Sequence, residues 1–150
     1  METLNIGNYI LQIDREKTLE FYNKNDNTCD CEYCTNYKKV LGSIPKEALE
    51  IFGSLGIIPG RVSEVIEIGQ GITDEKKRYY QIVCAAAGSI VSAPDNTETI
   101  VQNKEQIVVE KMPKIGNVEY RFADWFDLIP ANFPNPKFSV ELFFDLPWIE

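Results

Sequence analysis

The stretch KFSVELFFDL limits the fold more than any other part of the chain, because Phe138, Val140, Leu142, Phe144 and Leu146 occupy every second position. Side chains on a strand point alternately to its two faces, so a period of two specifies a strand with one buried face. NVEYRF repeats the pattern with Val118, Tyr120 and Phe122, and NYILQI repeats it with Tyr9, Leu11 and Ile13. RVSEVIEIG and RYYQIVCAAAGSIV also read as strands, although Ala85 to Gly88 interrupts the β-branched and aromatic texture of the second. ETIVQNKEQIVVEK reads as one bent strand or two short ones.

Helical periods lie between the first strand and the rest. Asp14 offers an N-cap to REKTLEFYNKN, and the polar run at 25–28 follows as a loop. From Cys31 onward, Cys34, Tyr37 and Leu41 share one helical face, and Gly42 stands where a left-handed C-terminal cap is wanted. The third helix is better marked still. Pro45 suits its first turn, Ala48, Ile51, Phe52 and Leu55 form its apolar stripe, and Gly56 ends it. A strand, then helices, then a run of strands predicts an α+β fold, with two to three short helices on a mainly antiparallel sheet of five to six strands.

With 150 residues, 44% of them hydrophobic and 25% charged, the chain is the size of one domain, 1–150, that buries a core without needing metal or disulfides. A net charge of −8 repels phosphate backbones and anionic membrane surfaces, which argues against nucleic acid or membrane as partner. No apolar run approaches the ~20 residues that span a bilayer. The opening METLNIGNYILQIDREK has neither a basic start nor a small-residue cleavage site, so a cytoplasmic location with reduced cysteines is expected.

Three of the four cysteines fall within CDCEYC, and the chain has no histidine. Mechanisms of the Ser-His-Asp or Cys-His type and histidine-bound zinc are thereby excluded. A zinc site then needs all four sulfurs, Cys29, Cys31, Cys34 and Cys84, or three thiolates and a carboxylate. A redox reading uses Cys31 and Cys34 at a helix start, where the helix dipole favours a thiolate. Asp30 and Glu32 work against it, because negative neighbours raise a thiol's pKa. A third reading makes Cys34 and Cys84 small core residues with Cys29 and Cys31 beside them.

Other chemistry is thin, and no residue is assigned a catalytic role. GSLGIIPG lacks the Lys-Ser or Lys-Thr of a phosphate-binding loop. The carboxylate pairs Asp124 with Asp127 and Glu141 with Asp145 read as parts of a solvated face. DWFDLIPANFPNP holds Pro130, Pro134 and Pro136 and is therefore loop or at most one short helical turn. Its Trp125 and Phe126 are the candidate partner-binding residues; tucking over the core is the commoner fate of such side chains, and exposure points to a protein partner or a homodimer.

CDCEYCTNY, IPKEALEIFGSLGI and a final alternating strand closing in LPW together resemble a family of small uncharacterised bacterial proteins with a Cys-x-Cys-x-x-Cys-x-Asn-Tyr motif. The resemblance covers most of the chain in order and implies a cytoplasmic bacterial protein with a recurring cysteine cluster. It brings no activity or cofactor with it, and Cys84 has no counterpart in the pattern. IPKEALEIF is also similar to the Pro-initiated helix of some acidic toxin-immunity proteins. The expectation is a non-enzymatic cytoplasmic interaction domain. The alternative is a metal-binding or thiol-redox protein using the cysteine cluster, with zinc as the metal. In a third arrangement, the cluster and the Trp125 loop meet across a homodimer.

Overall fold

The computed structural model describes residues 1–26 and 29–150, so the part of the 25–28 loop at Asn27 and Thr28 lies outside the described residues. The alternating stretch at the C-terminal end forms β9 (Lys137–Pro147), which lies between β4 (Lys77–Ser92) and β8 (Val118–Ala123). The antiparallel order is β1 (Glu2–Ile6), β2 (Tyr9–Ile13), β4, β9, β8, β7 (Lys114–Ile115), with β3 (Glu64–Gln70) also paired to β4. This is an α+β fold with a seven-stranded sheet, and β5 (Thr97–Gln102) and β6 (Glu105–Glu110) form a separate two-stranded one. The strand count exceeds five to six because β1, β7 and the β5–β6 hairpin are short or largely exposed elements with weak apolar patterns.

Register explains the core. Tyr80 lies opposite Phe144, Ile82 opposite Leu142 and Cys84 opposite Val140, while Tyr120 and Phe122 face Leu142 and Val140 from the other side. These residues share one sheet face and are all buried. Three helices contribute to the same core: α1 (Arg15–Lys24) with Phe21 and Tyr22, α2 (Glu32–Lys39) with Cys34 and Tyr37, and α3 (Lys46–Leu55) with its Ala48, Ile51, Phe52 and Leu55 stripe. Each large apolar side chain buried this way contributes about 1.5–3 kcal/mol. Gly56 caps α3 with φ 80°, as its sequence implies. Gly42 does not cap α2: that helix ends at Lys39, and Leu41–Ser43 tighten into a single 3₁₀ turn.

β4 runs unbroken through its alanines because α1 replaces a strand there. β3 pairs with β4 up to Val83 and β2 from Gly88, which leaves the intervening edge without a strand partner. The Tyr22 hydroxyl donates to Ala85 O at 2.8 Å and accepts from Ala85 N at 2.9 Å, and Ala87 N donates to Thr18 Oγ1 at 2.9 Å. Small side chains let the helix approach this closely. Gly88 has φ 137°, and a Cβ there would lie 1.9 Å from Gln12 O, so the β2 crossing admits only glycine. At the tip of the β5–β6 hairpin, Asn103 and Lys104 both adopt positive φ, 52° and 66°, which resolves ETIVQNKEQIVVEK into two strands.

Candidate metal-binding site

The cysteine cluster is built at the start of α2. Cys31 is the N-cap residue, with extended backbone, and its Sγ accepts from the Cys34 amide at 3.4 Å. That bond uses one of the amide donors a helix start leaves free, and it brings Cys34 round beneath Cys31. Cys29 then places its Sγ 2.9 Å from that of Cys31 and 3.1 Å from that of Cys34, within hydrogen-bonding reach of each. All three sulfurs lie within 4.8 Å of one another. Cys29 and Cys31 are exposed and Cys34 is buried.

The far side of α2 is fixed to the C-terminal tail. Asn36 is fully buried, and its Nδ2 donates to Tyr80 Oη at 3.1 Å and to Pro147 O at 2.9 Å. Its Oδ1 accepts from Ile149 N at 2.8 Å, so the amide is satisfied on both sides. Tyr37 donates to Pro59 O at 2.6 Å and Lys39 pairs with Glu150 at 2.7 Å. Tyr33 stands 5.7 Å from the Trp148 ring, and Arg78 covers the same ring at 5.7 Å. A helix held this way presents its cysteine end to solvent without help from a metal.

The thiols differ in character. The hydrogen bond from Cys29 and the Cys34 amide hold Cys31 below the ordinary thiol range. Asp30 and Glu32, which by sign alone favour the opposite shift, are both exposed to water, and the direct sulfur and amide contacts set the direction. Cys34 is pushed up to about 12, first by burial and then by its bond with Cys29. Zinc at about 2.3 Å from each sulfur in a tetrahedron needs sulfurs about 3.8 Å apart. Cys29 therefore moves away from each of its two sulfur neighbours by less than ~1 Å to accept it.

Cys84 does not join them. It is completely buried in β4, with its Sγ 3.7 Å from Val140 O, and the group of mutually close ligand atoms comprises Cys29, Cys31 and Cys34. The reason is position along the strand: Asn36 of α2 is tied to Tyr80, and Cys84 lies four residues, about 13 Å of strand, beyond Tyr80. Burial, with Glu141 next, holds the Cys84 thiol well above its ordinary range.

The other candidates separate clearly. Trp125 and Phe126 do not tuck over the core; they stay 37% and 36% exposed, with Leu128 exposed beside them and Lys137 Nζ 5.2 Å above the Phe126 ring. The loop residues that do tuck are Ile129 and Phe133, the latter 4.5 Å from Phe21. Glu141 and Asp145 are not a solvated pair. Glu141 is 2% exposed and receives Arg121 Nε at 3.0 Å and Nη2 at 2.5 Å, while Arg121 also binds Glu110. Asp145 accepts from Ile72 N, Thr73 N and Thr73 Oγ1 at 2.9, 2.6 and 2.6 Å and pins the turn before β4. Asp124 and Asp127 remain on the surface. Asn36 and Arg121 have no local motif to mark them; the one hint is a polar Asn36 between the inward-facing Cys34 and Tyr37.

No protein-family model, no curated protein and no solved structure matches this chain. Among the described residues, no helix is long and apolar enough to cross a membrane.

Proposed function

We propose that the chain is a cytoplasmic binding domain in which the thiolates of Cys29, Cys31 and Cys34 take up one thiophilic metal ion, zinc in the first instance. The observation that carries this reading is the convergence of the three sulfurs within 4.8 Å at a surface helix start. Soft thiolates select zinc or Cu(I) over hard cations, and three of them around one point form a chelate that isolated surface cysteines do not. Binding displaces the thiol protons and draws Cys29 and Cys31 onto the buried Cys34. Protein purified without chelator should contain close to one equivalent of zinc by elemental analysis. Less than about a tenth of an equivalent, with no uptake on adding zinc, would defeat the reading.

A second reading rests on a separate observation. Trp125, Phe126 and Leu128 form an exposed apolar group on a loop, the kind of surface that a protein partner or a second copy covers. It suits a non-enzymatic interaction domain of the immunity-protein kind. Light scattering of the wild type and of Trp125→Ala across a concentration series distinguishes the two occupants. Dimers lost in Trp125→Ala support a second copy, and monomers throughout leave a different protein as the occupant.

A further inference from the structure

We infer that a metal held by this cluster takes its fourth ligand from outside the chain, and that this ligand is a neutral nitrogen donor, the imidazole of a histidine on another molecule. The inference rests on the metal reading above and adds the chemistry of what meets the metal. Structural zinc sites are closed by four protein ligands, whereas sites that keep a position for another molecule use three. Here the group numbers three, Cys84 is occupied inside the sheet core, and the chain has no histidine to contribute. Cys34 is buried beneath while Cys29 and Cys31 lie at the surface, so a ligand from outside the chain can reach the cluster. The fold has an extensive apolar core of its own and does not depend on the metal to close it.

Charge selects the ligand. A divalent ion with three thiolates carries a formal charge of about −1, and Asp30 and Glu32 add negative charge on both sides of Cys31. The whole chain is at −8. An anion approaching that corner is repelled, and a neutral imidazole is not. Three thiolate donors also leave the ion a weak Lewis acid, which suits recognition better than activation of water. The internal rivals are the carboxylates of Asp30 and Glu32, but among the described residues no carboxylate oxygen joins the three sulfurs within 4.8 Å.

The test loads the full chain with Co(II) and follows its visible ligand-field bands during titration with imidazole and, separately, with azide. The two probes offer the same donor element with different charge. Imidazole should shift the bands saturably, and azide should bind about tenfold more weakly. That gap should narrow in Asp30→Asn/Glu32→Gln. Cys84→Ala should titrate as the wild type does. Bands that respond to neither probe, or that change in Asp30→Asn/Glu32→Gln before any probe is added, would show an internal fourth ligand and overturn the inference while leaving the metal site standing. Azide binding as tightly as imidazole would overturn the charge argument. Failure to bind Co(II) at all would remove the metal reading together with the inference.

Discussion

Cys34 and Cys84 are both buried, and burial holds both thiols above the ordinary range, yet they sit in different chemistry. Cys34 opens α2 and has the exposed Cys29 3.1 Å from its sulfur, at the edge of the fold. Cys84 occupies the middle of β4, its sulfur against the Val140 carbonyl and its thiol held up by burial and then by Glu141. Burial alone therefore does not separate a ligand from a packing residue; the neighbours do. One cysteine has other sulfurs and a route to solvent, and the other has a satisfied sheet interior.

If the β4 region is structural, the most damaging change there should be electrostatic and should leave the cluster alone. Arg121→Ala strands the buried Glu141 without its cation and should cost about 3–5 kcal/mol in denaturant unfolding. Metal content per folded chain should stay unchanged. On the other side of the comparison, Asn36→Ala removes three hydrogen bonds between α2, Tyr80 and the C-terminal tail, and should cost about 2 kcal/mol. Because Asn36 fixes the helix that carries the cluster, this variant should also weaken metal binding, which Arg121→Ala should not. Equal effects of the two variants on metal would erase the distinction between the regions.

Asp145 gives the smallest effect and a sign that is easily read. Burial pulls its carboxyl upward, but hydrogen bonds from Thr73 and the amides of Ile72, Thr73 and Asp74 outweigh that and hold it below the usual carboxylate range. A folded value below the unfolded one stabilises the protein fully above pH ~4, and the contribution disappears as pH falls through the folded value. Asp145→Asn should cost about 1 kcal/mol at pH 7 and flatten the acid limb of the stability profile. A variant whose stability follows the wild type at every pH would contradict the role given to this carboxylate.

The features legible in the sequence are those whose partners lie close along the chain. Phe138 to Leu146 announce β9 by alternation alone, and the stripe from Ala48 to Leu55 with Pro45 and Gly56 marks α3 at both ends. The trio Cys29, Cys31 and Cys34 is legible for the same reason, since its members fall within six residues at the N-cap of α2. The rest depends on distant partners. β1 has only Leu4 and Ile6 as apolar markers, and β4 crosses its alanines because Tyr22 and Thr18 of α1 supply the missing edge bonds. Asn36 finds its acceptor 111 positions away at Pro147. Cys84 was the natural fourth ligand by count, and only the placement of α2 along β4 shows why it is not near the others.

The contrast between the two buried cysteines is decided by metal stoichiometry in three proteins purified side by side: wild type, Cys84→Ser and Cys34→Ser. The cluster account predicts about one zinc per chain in the first two. In the third, competition with a chromophoric chelator should show affinity reduced by about 100-fold or more. Loss of zinc from Cys84→Ser with retention in Cys34→Ser would contradict it.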